Sequence, residues 1–110
     1  MAWAFLTLSI LTEIAATLAL RAISSTTGTA RAGLVSAAVV GYTLAFLTLA
    51  LALRAITVGP AYAIWSGCAL VGVALGGWLL FAERLSPLTM AGIAVVLLGV
   101  IMINFGGVEA

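Results

Sequence analysis

Long stretches without a charged residue constrain the fold of this chain more than any other feature. Residues 32–53, 55–82 and 85–108 contain no Asp, Glu, Lys or Arg, and the first twenty residues contain only one, Glu13. Each stretch reaches the roughly 20 residues that a helix needs to cross about 30 Å of hydrocarbon. The sequence therefore predicts an all-α membrane protein with four short transmembrane helices.

The overall composition agrees with a membrane protein. Hydrophobic residues make up 65% of the chain and charged residues 6%, and the mean hydropathy is +1.38, whereas about 25% of residues are charged in an ordinary soluble domain. A cleavable signal peptide would begin with basic residues and keep its apolar core free of charge. The first segment does neither, so we expect it to be a retained helix.

Charged residues and helix breakers set the predicted boundaries, because every face of these segments is apolar. Arg21 closes the first helix and a polar stretch, residues 24–31, follows it. Gly59-Pro60 and Ser86-Pro87 suit the starts of the third and fourth helices, since proline is well accommodated in a first turn. We predict one four-helix domain over residues 1–110, with helices at about 2–21, 32–53, 59–82 and 86–105.

The chain lacks the residues that several classes of function require. The chain has no histidine and one cysteine, Cys68, which excludes an internal disulfide and gives no thiol-rich metal site. It offers no nucleophile–base pair and no phosphate-binding glycine loop. Its four scattered arginines form no patch for nucleic acid. We expect neither an enzyme nor a bound metal or cofactor.

Glu13 is the leading candidate for function. An ionisable side chain inside a bilayer costs roughly 2.5 kcal/mol or more, so a carboxylate kept there usually binds ions, protons or a charged ligand. Residues three and four positions away share its helix face, and they include Ser9, Ala16 and Thr17. Burial disfavours the ionised form, so the carboxyl could exchange a proton for a cation. The alternative is a polar contact that only joins helices.

Aromatic residues extend the candidate site. Tyr42 lies near the middle of the second segment, and Tyr62 and Trp65, three residues apart, share a face of the third. Cations bind to the faces of aromatic rings, with a gain of about 2 kcal/mol or more where water is excluded. A carboxylate beside such rings suits a flat, lipophilic organic cation. For Tyr62, a place at the membrane interface is the alternative.

Glycines indicate where helices approach one another closely. Gly92 and Gly99, seven residues apart, lie on nearly one face of the fourth segment, which we predict to be a dimerisation helix. The third segment carries Gly67 and Gly72, where a bend could act as a hinge, since glycine is a source of helix kinks. Plain helix packing explains these two glycines equally well.

Together these residues resemble those of the small multidrug resistance (SMR) transporters, and the resemblance covers nearly the whole chain. Hydrophobicity alone would not identify this family. The motifs that do are Glu13 followed by Ala16-Thr17, Tyr42 with Phe46 one turn later, the run PAYAIWSG at residues 60–67, Trp78, Gly92 with Gly99, and Ile103-Asn104.

The resemblance implies an antiparallel dimer in the bacterial inner membrane, with both orientations of the chain inserted and one shared chamber. Glu13 of both subunits would bind protons and lipophilic cations in competition. Aromatic residues would line the chamber and the fourth helices would hold the dimer. The implied chamber residues are Ser9, Ala16, Thr17, Tyr42, Phe46, Tyr62 and Trp65, and the implied interface residues are Gly92, Gly99 and Asn104.

Two positions indicate the branch of the family. Guanidinium exporters tend to place a tryptophan one turn beyond the glutamate, where this chain has Ala16. With Tyr42 also present, the chain is more similar to exporters of quaternary ammonium cations. Two alternatives stay open. The protein could export guanidinium or polyamines, or it could be a non-transporting structural subunit of a heteromer.

The family pattern and the charges leave the assembly partly open. The first loop lacks the glycine–phenylalanine and tryptophan–proline pattern usual in the family, and Arg21 replaces the usual lysine. Loops one and three hold Arg21, Arg31 and Arg84 against Arg54 on the other side, which is a small bias toward cytoplasmic placement of those loops. A homodimer of dual topology is preferred, and a paired SMR subunit of opposite bias is the alternative.

Overall fold

The computed structural model describes residues 1–107, which form four helices. They are α1 (Ala2–Ile23), α2 (Gly28–Ala52), α3 (Val58–Phe81) and α4 (Pro87–Phe105). Each is long and apolar enough to cross a membrane. The prediction of an all-α membrane protein with four spans is therefore confirmed. Residues 108–110 of the predicted domain lie outside the described part of the chain.

The helix ends follow the predicted boundaries except at the start of α2. This helix begins at Gly28 rather than near residue 32, so the first connection is reduced to residues 24–27. The polar residues that follow Gly28 form the first turn of the helix. The prediction placed the start of the helix at the start of the charge-free stretch. A helix can extend beyond the hydrocarbon, because its backbone hydrogen bonds are made within the helix itself.

Local sequence signals explain the connection between α3 and α4. Ser86 caps α4: its hydroxyl accepts a hydrogen bond from the Thr89 backbone N–H at 3.1 Å, and Pro87 occupies the first turn. At the end of α3, Ala82 adopts the left-handed conformation with φ 54°. The backbone N–H of Glu83 then donates to the Gly77 carbonyl at 3.2 Å, which satisfies a carbonyl that the helix end leaves free.

Helix α1 packs against both α2 and α3, and α4 packs against α3. Helices α1 and α2 approach each other closely at Gly41, where an added Cβ would lie 2.9 Å from the Cβ of Ala16. A buried apolar cluster joins α1, α2 and α3 at one end of the bundle. It consists of Leu6, Leu49, Ala52, Ile56, Ala61, Ile64 and Trp65.

An ion pair marks the opposite end of the bundle. Arg21 Nε donates to Glu83 Oε2 at 2.9 Å, and the Arg21 guanidinium lies 5.0 Å from the centre of the Phe81 ring. The carboxyl ends of α1 and α3 therefore lie side by side, and Gly77 leaves space for the Glu83 carboxylate. Both charged side chains are about half exposed, so the pair contributes about 0–1 kcal/mol to stability.

Candidate functional site

Glu13 lies near the middle of α1 and is half-buried. Its Oε1 accepts a hydrogen bond from the Thr17 hydroxyl at 3.3 Å. Its Oε2 is buried without a protein hydrogen-bond partner, and it is the only such side-chain atom among residues 1–107. A buried polar atom without a partner costs about 1–3 kcal/mol, and more if it is charged. This oxygen is therefore free to bind a proton or a cation.

An open groove of about 300 Å³ begins at Glu13 and runs between α1 and α3. Glu13 and Thr17 supply its polar side from α1. The opposite wall belongs to α3 and is mostly apolar. The lining residues from α3 are Trp65, Ser66, Ala69, Leu70 and Val73. A single carboxyl at the edge of an apolar groove suits a ligand that is both charged and hydrophobic.

Thr17 links the carboxyl to the second helix. Its hydroxyl lies 2.7 Å from the Tyr42 hydroxyl and 3.3 Å from Glu13 Oε1. A hydroxyl has one donor and two acceptor positions, so Thr17 can donate to the carboxylate while it accepts from the phenol. Tyr42 is therefore linked to Glu13 through the Thr17 hydroxyl.

Four aromatic rings form a continuous series beside the groove. Tyr42 and Phe46 of α2 stack with ring centres 6.5 Å apart, and Phe46 lies 6.1 Å from Trp65 of α3. Tyr62 lies 5.4 Å from Trp65. Trp65 is only 8% exposed, but Phe46 and Tyr62 are 57% and 58% exposed. The structure thus brings together the four aromatic residues that the sequence analysis assigned to the chamber.

Of the seven predicted chamber residues, Thr17 and Trp65 line the groove. Tyr42, Phe46 and Tyr62 lie beside it in the aromatic series, and Ser9 and Ala16 are buried in contacts between helices. Ser9 is fully buried, and its hydroxyl contacts α2 and α3 rather than the groove. Ala16 is buried against Gly41. Helical spacing placed both on the face of Glu13, but that face is divided between the groove, where Thr17 lies, and the contact with α2.

Sequence reasoning missed four groove residues: Ser66, Ala69, Leu70 and Val73. A usable signal was present for all four. Ala69 and Val73 follow Trp65 at intervals of four residues, so they extend its helix face by two turns. Ser66 and Leu70 follow Tyr62 at the same intervals.

The two glycines proposed as a hinge both make close contacts. A Cβ on Gly67 would lie 2.6 Å from Val100 Cγ2 of α4, and a Cβ on Gly72 would overlap the side chain of Ile14 of α1. Helix α3 continues without interruption through both positions. These contacts favour the packing alternative, and the hinge stays a prediction.

The predicted interface residues of α4 lie on an unpartnered surface. No residue of α4 is buried, and a Cβ added at Gly92 or Gly99 would meet no atom within 4 Å. Asn104 is exposed and lines a second, larger cavity of about 810 Å³, together with Trp3 at the start of α1. The structure thus leaves this face of α4 accessible to another helix.

Within residues 1–107, no three His, Cys, Asp or Glu side chains lie close enough to hold a metal ion. The other acid in this part of the chain, Glu83, is paired with Arg21 at the end of the bundle. Fold and site together define a multi-pass membrane protein with one carboxyl at the edge of a mostly apolar groove that Trp65 lines.

Comparison with known proteins identifies the family. The family model described as Small Multidrug Resistance protein matches residues 1–96. The chain belongs to the small multidrug resistance family, which confirms the resemblance seen in its motifs. Its relatives are bacterial, and with four membrane-spanning helices it is a multi-pass protein of the bacterial inner membrane.

Several curated relatives match almost the full length of the chain. Quaternary ammonium compound-resistance protein QacE of Escherichia coli is 36% identical over 93% of this chain and 90% of its own length. Quaternary ammonium compound-resistance protein QacF of Klebsiella aerogenes is 39% identical over the same shares. A multidrug transporter of Pseudomonas aeruginosa is 36% identical over 91% of this chain and 88% of its own.

Proposed function

We propose that this protein is a proton-coupled antiporter that exports hydrophobic and quaternary ammonium cations across the inner membrane. The observation that carries the proposal is Glu13 Oε2, a buried carboxyl oxygen without a protein partner at the edge of the groove. The names of QacE and QacF, which refer to quaternary ammonium compound resistance, support this substrate class.

Coupling between proton movement and cation movement follows from the single carboxyl of the site. A protonated Glu13 is neutral and attracts no cation, whereas an ionised Glu13 in a groove of low polarity attracts one strongly. Protons and cations therefore compete for the same carboxyl. A proton entering from the more acidic side displaces the cation there, and each pH unit across the membrane supplies about 1.36 kcal/mol per proton.

The aromatic rings explain the preference for lipophilic cations. A quaternary ammonium group has no N–H to donate, so its recognition depends on charge and on contact with ring faces. Trp65 supplies a wall of the groove, and Phe46 and Tyr62 lie beside it with more than half of their surface exposed. Glu13 would provide the charge and the rings the apolar contacts.

A second copy of the chain would complete the site. The groove is open on one side, and α4 has no buried residue. An antiparallel homodimer would enclose the groove and cover α4, with a paired SMR subunit of opposite orientation as the alternative. Reporter tags at the C terminus should be detected on both sides of the membrane. Detection on one side only would contradict a functional antiparallel homodimer.

The experiment that tests the antiport mechanism uses Glu13→Gln, which keeps the size and removes the titratable group. In weakly buffered detergent solution, tetraphenylphosphonium should release protons from the wild-type protein and none from the variant. In proteoliposomes, uptake driven by a pH gradient should also disappear. Glu83→Gln is the matched control, because it removes the other acid of residues 1–107, which lies outside the groove. Gradient-driven uptake by Glu13→Gln would contradict the mechanism.

The same proteoliposomes test the substrate class. We expect uptake of tetraphenylphosphonium and no uptake of guanidinium, because the groove's α3 wall is mostly apolar. Uptake of guanidinium alone would assign the protein to the guanidinium exporters.

A further inference from the structure

Trp65 is held in place by a polar contact on the side away from the groove. Its indole N–H donates to the Ser9 hydroxyl at 2.9 Å. Ser9 is 0% exposed and Trp65 is 8% exposed, so the contact is closed to water. A buried indole N–H needs such an acceptor, since leaving it without a partner is unfavourable.

The direction of each hydrogen bond at Ser9 is determined by chemistry. The Ser9 hydroxyl lies 2.6 Å from the Ala45 carbonyl of α2. A carbonyl can only accept, and a serine hydroxyl has a single proton, so Ser9 donates to Ala45 and accepts from Trp65. The result is one ordered chain of hydrogen bonds from α3 through α1 to the backbone of α2.

This chain fixes the orientation of the aromatic wall. The indole nitrogen is tied to a hydroxyl that is itself tied to a helix backbone, so the ring of Trp65 has one favoured position. Phe46 and Tyr62 are arranged around that ring, at 6.1 Å and 5.4 Å between centres. Ser9 does not line the groove, and it can influence a bound cation only through Trp65.

We propose that Ser9 is a positioning residue, which sets the indole of Trp65 for contact with the cation. The proposal rests on the proposed function for its substrate. It differs from that function in predicting a defined orientation of Trp65 in the absence of any cation.

The test uses a protein in which Trp65 is the only tryptophan. The chain has three tryptophans, and Trp3→Phe with Trp78→Phe removes the other two, both of which are exposed. In this background, Ser9→Ala should change the emission maximum of Trp65 without ligand and weaken tetraphenylphosphonium binding about tenfold. Protons released at saturating cation should be unchanged, because Glu13 is intact.

Two further variants separate the hydrogen bond from packing. Ser9→Cys is close to serine in size but a weak acceptor, so it should behave as Ser9→Ala does if the hydrogen bond matters and as wild type if only volume matters. Ser36→Ala is the control, because the exposed Ser36 hydroxyl bonds only within its own helix, to Ala32 at 3.0 Å.

A double-mutant cycle gives the decisive result. Phenylalanine at position 65 keeps a ring but has no N–H, so in the Trp65→Phe protein Ser9→Ala should cause no further loss of cation affinity. An equal loss in both backgrounds would overturn the proposal, as would unchanged Trp65 emission in Ser9→Ala and Ser9→Cys. If Ser9→Ala fails to fold, Ser9→Cys takes its place in the cycle. Emission and binding are measured without a pH gradient, so failure of antiport would be recognised separately.

Discussion

The hydroxyl groups of Thr17 and Tyr42 lie 2.7 Å apart, and the Thr17 hydroxyl is also within 3.3 Å of Glu13 Oε1. Thr17 therefore connects the candidate proton site on α1 to the aromatic series that begins on α2. An ionised Glu13 needs the donor of Thr17, which leaves Thr17 to accept from Tyr42. The protonation state of the carboxyl can thus influence the position of the first aromatic ring.

Replacing Thr17 with valine should weaken cation binding. Valine keeps the shape but removes the hydroxyl that donates to Glu13 Oε1 at 3.3 Å and lies 2.7 Å from the Tyr42 hydroxyl. The carboxylate then loses the donor that orients it, and Tyr42 loses its link to the site. A hydrogen bond worth about 1 kcal/mol corresponds to a change of about fivefold in the dissociation constant. Titration of the protein with tetraphenylphosphonium at one fixed pH would measure the loss.

Thr12→Val is the matched control for this binding measurement. Thr12 neighbours Glu13 on α1, but its hydroxyl donates to the backbone carbonyls of Leu8 and Ser9 rather than to the carboxyl. The affinity for tetraphenylphosphonium should stay at the wild-type value in this variant. A wild-type affinity in Thr17→Val would refute the role assigned to Thr17.

Gly41→Ala should destabilise the protein, because the added methyl group would push α2 away from α1 and weaken the packing between the two helices. The added Cβ would lie 2.9 Å from Ala16 Cβ and 3.4 Å from the Thr12 carbonyl oxygen, and neither is the end of a flexible side chain. Overpacking of this kind costs about 1–3 kcal/mol. Unfolding in mixed micelles with increasing SDS would measure the loss.

Gly33→Ala, in the same helix, should have the opposite effect on stability. A Cβ at Gly33 meets no atom within 4 Å, so alanine should stabilise α2 by up to about 1 kcal/mol through its higher helix propensity. Equal stability changes in Gly33→Ala and Gly41→Ala would show that the close approach to Ala16 does not matter.

The fold was predictable because hydrocarbon thickness and backbone hydrogen bonding allow a chain of this kind few alternatives. The start of α2 at Gly28 was not predictable, because hydropathy indicates where a helix crosses the membrane surface and not where the helix itself begins. At the site, the structure places Glu13, Thr17 and Trp65 along one groove, and their roles stay predictions. Ser9 could not be placed from helical spacing alone, because the face of α1 around Glu13 contacts two different helices.

The glycines of α3 show a related limit. Sequence could not distinguish a hinge from close packing at Gly72, since glycine serves both purposes and only the neighbouring helix decides between them. The neighbour is Ile14, whose side chain occupies the space that a Cβ on Gly72 would need.

Gly72→Ala should therefore reduce transport, and a second change, Ile14→Ala, should restore it. The first substitution introduces a clash, and the second removes the atoms of Ile14 that cause it. Uptake of tetraphenylphosphonium in proteoliposomes would measure both variants, with Ile14→Ala alone as the control. A double variant that folds but still fails to transport would instead favour Gly72 as a hinge, because alanine restricts the backbone whether or not Ile14 is present.

Gly99→Leu should weaken dimerisation without disturbing the fold of the subunit. Nothing within 4 Å would meet a Cβ at this position, so the subunit tolerates leucine, whereas a second helix packed against Gly99 would be forced away. We expect the dimer dissociation constant in detergent to rise at least about tenfold, which corresponds to about 1.4 kcal/mol. Energy transfer between differently labelled subunits would measure it. Ala94→Leu is the control, because Ala94 is exposed on a different face of α4, and equal weakening by both variants would contradict an interface centred on the glycine face.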